Sequence, residues 1–126
     1  MFDKFSSGKY DFMVFRFHKF SSILSAILWF LLGILTIGSI AISSLGWIIN
    51  LSMGFLFMII AGFIYLHGKN MHQFYSNAIE TIQNDPHFKR FLRLDLLFVF
   101  STAIISGGFL IAAFFRVFGE GFAVFR

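Results

Sequence analysis

Between Phe20 and Leu66 the chain carries no Asp, Glu, Lys, Arg or His, an unbroken run of 47 residues. One membrane-spanning helix needs about 20 apolar residues, so this run predicts two spans joined by a tight connection. Ser43-Ser44-Leu45-Gly46 is the natural joint, because Ser and Gly cluster there and Trp47 follows. Trp is favoured at the membrane–water boundary, where its ring is apolar and its N–H finds a partner. A second uncharged run, Leu96 to Phe115, is 20 residues long and predicts a third span. Arg116 closes it, with a side chain long enough to reach the headgroups. The pattern therefore predicts an all-α integral membrane protein of a single membrane domain, with spans at 21–43, 46–66 and 96–115 and a short tail at 116–126.

The segment between spans two and three is also patterned. Met71, Phe74, Tyr75, Ala78, Ile79 and Ile82 recur at helical spacing, while His72, Gln73, Asn77, Glu80 and Gln83 fill the opposite face. Span two is thus expected to continue as an amphipathic helix to about Gln83. Asn84-Asp85-Pro86 breaks it: Asp85 suits an N-cap, and Pro86 suits the first helical position, where its missing N–H costs nothing. The next helix carries Phe88, Phe91, Leu92 and Arg93 into span three. A helical hairpin over 67–93 follows, roughly 25 Å tall at 1.5 Å per residue. Its apolar stripe, including Met71, Phe74 and Ile82, is wider than two helices bury between them. A further surface is needed: the N-terminal segment, the inner leaflet or a protein partner. Lys89, Arg90 and Arg93 suit an anionic surface there, and the hairpin is the expected contact for a partner and for lipid. Segment 1–20 places Met13, Phe17 and Phe20 on one helical face, as it does Phe2 and Phe5, with basic residues between, the pattern of an amphipathic interfacial helix on the inner leaflet.

Composition sharpens this picture. Hydrophobic residues make up 58% and charged residues 13%, against about 25% charged in soluble domains. A small soluble domain cannot bury so much apolar surface, so the excess faces lipid. The net charge of +4 does not point to nucleic acid, because the basic residues sit beside the apolar runs. In that position they set membrane orientation and meet anionic headgroups. The run after residue 20 is about twice the usual 7–15 residues of a signal-peptide core and has no A-x-A site, so it is expected to be an uncleaved anchor. Lys4, Lys9, Arg16, Lys19, Lys69, Lys89, Arg90 and Arg93 fall on one side of the three spans, and Arg116 and Arg126 on the other. The eight are expected in the cytoplasm or matrix, with the chain in the cell inner (plasma) membrane or an organellar inner membrane and its N-terminus on the cytoplasmic or matrix side.

Candidate chemistry is sparse. The absence of cysteine excludes thiolate metal sites, disulfides and Cys nucleophiles. No nucleophile–base set, phosphate loop or H-E-x-x-H motif is present. His18 and His67 sit near the inner ends of spans one and two, where half-polar imidazoles are at home at the bilayer interface and no cofactor is expected; the alternative is that the two helices bring the imidazoles together to hold a b-type haem. His67 and His72 are five apart, about 140° around a helix, and do not form a metal pair with each other. Asp95, at the inner edge of span three, is expected to pair with Arg90 or with an adjacent subunit. The small residues Gly54, Ala61 and Gly62 of span two and Ala103, Gly107, Gly108 and Ala112 of span three mark close helix packing, within the chain or against another subunit.

Arg16-Phe17-His18-Lys19-Phe20-Ser21-Ser22 is similar to the His-Arg-x-Ser-Gly stretch that opens the first span of succinate dehydrogenase cytochrome b subunits, which also have three spans and a comparable length. This chain has Lys19 where that family has Arg, and Ser22 where it has Gly. The resemblance implies a quinone site bordered by His18, Lys19 and Ser21, with His67 as a haem ligand.

The leading expectation is a non-enzymatic accessory or scaffolding subunit of a larger membrane complex, contacting lipids and other subunits or further copies of itself. A haem- or quinone-binding respiratory anchor is the alternative. A self-assembling pore such as a holin or channel is a third, weakened by the lack of charged residues inside the spans. The charge count predicts termini on opposite faces. Cysteines introduced as Ser6→Cys and Ala123→Cys test this with an impermeant maleimide. Reagent added on the periplasmic side should label only the second, and labelling of both or neither would refute three spans.

Overall fold

The computed structural model describes the backbone of residues 2–82 and 86–125, and the side chains of 13–74 and 86–125. Among these residues the architecture is all-α: α1 (Phe2–Gly38), α2 (Trp47–Ile82) and α3 (Pro86–Phe114). Each contains a stretch long and apolar enough to cross a membrane: Met13–Ala41, Trp47–Phe74 and Pro86–Gly119. At 37 residues, α1 is about 55 Å long, well beyond a hydrocarbon core of about 30 Å. The N-terminal segment therefore extends the first span instead of forming a separate helix. Nothing between Met13 and Ser25 breaks a helix, and two Ser residues cost little there.

The first connection falls where Ser and Gly predict it. A 3₁₀ turn at Ser39–Ala41 ends α1, and Gly46, at φ 72°, supplies the left-handed residue that turns the chain into Trp47. Pro86 opens α3 as expected. Residues Asn84 and Asp85, and the side chain of Ile82, lie outside the described residues.

The helices pack by a repeat that alternates steps of three and four. On α1 the inward positions are Phe15, His18, Ser22, Ser25, Trp29, Leu32, Thr36 and Ser39, all buried except the half-buried Trp29. On α2 they are Asn50, Gly54, Phe57, Ala61, Ile64, Gly68 and Met71, all buried. A mean step near 3.5 keeps one seam facing its neighbour along the whole helix. The backbones of α2 and α3 each approach α1, which lies between them. They reach each other through long side chains, as where the Phe57 and Phe109 rings meet edge-on at 5.9 Å.

The closest approach is between α1 and α2. A Cβ on Gly33 would stand 2.8 Å from the Gly54 carbonyl oxygen, and one on Gly54 would stand 2.3 Å from Cγ1 of Ile37. Gly68 packs as tightly on the Ser22 side chain. Of the small residues singled out from sequence, Gly54, Ala61 and Ala103 are buried. Gly107 is in ordinary contact range of Leu28. Gly62, Gly108 and Ala112 point outward.

The two ends are closed differently. At the loop end, a π-helical turn at Phe115–Gly119 ends the third helix and the tail folds back. Asn50, fully buried, donates from Nδ2 to the Phe125 carbonyl (2.6 Å) and accepts the Phe125 N–H at Oδ1 (2.9 Å). Ser39 Oγ accepts the Val124 N–H (3.2 Å), and Arg116 Nε donates to the Ala123 carbonyl (3.0 Å). Arg116 thus braces the tail. Ala123 is buried, which makes the exposed Glu120 the better labelling position. At the other end, Met71 and Leu92 pack on Phe15 of α1. The N-terminal segment supplies that part of the third surface the hairpin requires. Phe74, close to Phe88 at 6.0 Å, and Phe91 keep about half their surface exposed. Lys89 is half-buried, and Arg90 and Arg93 are exposed.

Gly33→Ala should destabilise the purified protein by about 1–3 kcal/mol, because a backbone carbonyl cannot swing aside. Gly62→Ala, where an added Cβ meets nothing within 4 Å, should be neutral or stabilising by up to about 1 kcal/mol. Denaturation in mixed micelles measures both, and equal losses would refute the α1–α2 contact.

Candidate functional site

One residue from each helix meets at the basic end of the bundle. His18 lies on the α1 seam. On α3, Asp95 belongs to the inward series Leu92, Asp95, Val99, Thr102 and Ser106, again in steps of three and four. His67 lies on α2 beside Gly68, at the edge of its seam.

The Asp95 carboxylate bridges the two imidazoles. Its Oδ2 accepts from His18 Nε2–H, and its Oδ1 accepts from His67 Nε2–H at 2.7 Å. A carboxylate only accepts, so both imidazoles must present a hydrogen at Nε2. The His18 side chain is 1% exposed, that of Asp95 10% and that of His67 43%. The cluster is sealed on its α1 side and open on its α2 side. A buried charge without partners is very costly, and two charge-assisted hydrogen bonds, one to each carboxylate oxygen, meet that cost here.

The expected pairing of Asp95 with Arg90 is corrected by this geometry. The partners are His18 and His67, because Asp95 faces the bundle axis while Arg90 is exposed. The expectation that spans one and two bring His18 and His67 together holds, with the carboxylate between them. A haem held by both imidazoles would have to occupy the position of that carboxylate.

Polar groups continue along the α1–α3 seam. Ser25 Oγ and Thr102 Oγ1 are hydrogen-bonded at 2.9 Å, Thr102 also donates to the Val99 carbonyl, and Ser106 donates to the Ala103 carbonyl. These hydroxyls satisfy one another and their own helices, as Ser and Thr do in apolar surroundings.

Beside the cluster, between α1 and α2, lies a cavity of about 210 Å³ lined by Lys19, Ser22, Ile23, Tyr65, Gly68, Lys69 and His72. Ser22 Oγ and His72 Nδ1 are buried there without a hydrogen-bond partner, as is the nearby Ser21 Oγ. The His72 ring stacks on Phe15 with centroids 4.7 Å apart.

Searches against protein-family models, curated proteins and solved structures find no match to the chain.

The sequence points to both histidines but marks Asp95 only as an interface charge. A stronger signal was available in the repeat of three and four, which places Asp95 on the same inward line as Val99 and Ser106. Asn50 carries no such signal, because a lone amide in an apolar run has no motif around it.

Asp95→Ala should cost about 3 kcal/mol, since it strands two imidazole donors, one of them buried. His67→Ala, on the open side, should cost about 1 kcal/mol. Denaturation in micelles compares the two, and a larger loss for His67→Ala would contradict the assigned asymmetry.

Proposed function

We propose that the chain is a non-catalytic, multi-pass subunit of a larger membrane complex, oriented with its basic end and N-terminus on the cytoplasmic or matrix side of an inner membrane. The observation that carries this reading is the outward placement of Gly62, Gly108 and Ala112. A Cβ at either glycine would meet nothing within 4 Å, so these small residues serve no packing inside the bundle. Small residues at membrane helix surfaces let a second helix approach closely. Only 22–33% of each apolar stretch is buried within the chain, which leaves room for such a neighbour. The polar groups described in the spans bond chiefly within the chain, as Asn50, Asp95 and Thr102 do, and this supports a structural role over a catalytic one.

A haem- or quinone-binding respiratory anchor is the second reading, favoured by the cavity between α1 and α2. Lys19 lines it and Ser21 is nearby, two of the three positions implicated by the resemblance to cytochrome b subunits. At about 210 Å³ it is smaller than whole small-molecule sites of roughly 300–1,000 Å³. It would take the polar head of an amphipathic ligand, beside the buried and unpartnered Ser22 Oγ and His72 Nδ1.

Purification in mild detergent followed by an absorbance spectrum separates the two. The accessory reading expects co-purifying membrane proteins that are lost on Gly108→Leu, with stability of the chain itself unchanged and no Soret band. A Soret band that sharpens on reduction, or extractable quinone lost on Ser22→Leu, would move the assignment to the respiratory anchor. Unchanged complex size for both Gly62→Leu and Gly108→Leu would mean that these faces look at lipid.

A further inference from the structure

The His18–Asp95–His67 cluster has more capacity than a clasp between helices requires. Its three donor atoms, two imidazole nitrogens and one carboxylate oxygen, lie within 4.8 Å of one another. They come from three different helices, so no single element's flexibility dissolves the set. Two His and one carboxylate on one side of a site, with further positions open, is a donor set suited to first-row divalent transition metals. Mg²⁺ and Ca²⁺ prefer oxygen donors and fit it poorly.

We propose that His18, His67 and Asp95 form a binding site for a first-row divalent transition-metal ion. Around such an ion, bonds of about 2.0–2.2 Å put neighbouring donors roughly 3.3 Å apart. In the present arrangement each imidazole nitrogen lies closer than this to the carboxylate, at hydrogen-bonding distance, and all three donor atoms lie within 4.8 Å of one another; His67, the exposed member, has the freedom to adjust by side-chain rotation. His18 and Asp95 are already held by burial. The ion enters from the open His67 side and replaces the two hydrogens that now bridge imidazole and carboxylate. Each Nε2 gives up its hydrogen, the proton passing to Nδ1 of the same ring or to water, and the freed lone pair binds the metal. The carboxylate keeps its charge and exchanges two hydrogen-bond donors for one cation. The remaining coordination positions face away from His18, where water or a partner's side chain completes the shell. The site is independent of the accessory reading, because it rests on donors supplied entirely by this chain.

Cobalt is the probe. Co²⁺ titrated into the full-length purified protein at neutral pH should give visible ligand-field bands that saturate at one ion per chain. Zn²⁺ should displace them and raise the unfolding midpoint, as a ligand specific to the folded state must. His67→Ala removes a donor at the exposed edge and should leave helicity and elution unchanged. It should weaken Co²⁺ binding by at least about tenfold, as should Asp95→Asn. His87→Ala, outside the cluster, should bind as the parent does. If the parent shows no bands at millimolar Co²⁺, or if His67→Ala and Asp95→Asn bind with parental affinity, the proposal is wrong. A parent protein that binds Co²⁺ but co-purifies with no other membrane protein would overturn the accessory reading alone.

Discussion

A carboxylate placed among apolar helices has to be met by donors, and Asp95 is met by one imidazole from each of the other two helices. That requirement sets the register of the whole bundle at its basic end. Sliding α1 by one turn would move His18 about 5.4 Å along the axis and leave the charge on Asp95 half-paired, at a cost well above that of an imperfect apolar contact. Dispersion between apolar side chains is non-directional and tolerates such slips. Within lipid there is little hydrophobic drive to choose among them. Directional polar contacts therefore carry much of the specificity.

The opposite end uses the same physics with neutral groups. Asn50 holds the backbone of Phe125 through both its donor and its acceptor, and Ser39 holds the N–H of Val124. Free backbone groups of an unwound tail are expensive near hydrocarbon, and these side chains substitute for the helix that has ended. The bundle is pinned by His–Asp–His at one end and by Asn50 and Ser39 at the other. Between them, Gly33 and Gly54 bring α1 and α2 close enough for backbone to meet backbone. Placing α1 centrally follows from its composition: it presents Ser, Gly and Thr where a helix with two neighbours has least room.

This division of labour also bears on function. Polar atoms that fix the fold are mostly engaged, while Ser21, Ser22 and His72 around the small cavity retain unpartnered atoms. The outer faces combine bulky lipid-facing residues with isolated small ones at Gly62, Gly108 and Ala112. The cluster at His18, His67 and Asp95 joins the three helices and is also the proposed metal site, because imidazoles that hydrogen-bond a carboxylate are also ligands that a transition metal selects.

Hydropathy alone determined that the chain is helical, that it contains three spans and where they join, because the cost of exposing backbone and charge to hydrocarbon is large and local. Ser43–Gly46 and Pro86 marked the breaks by their backbone preferences, and these too are local properties. What covers the apolar stripe of the hairpin was a matter for tertiary structure: Phe15 of a lengthened α1 reaches Met71 and Leu92, a contact between residues far apart in the chain. The partners of Asp95 were likewise decided only in three dimensions. Arg90 is nearer in sequence, but helical phase turns it outward while Asp95 faces the axis. The same holds for the small residues, whose spacing shows that a helix has a close-packing face but not which helix, or which side of the bundle, that face meets.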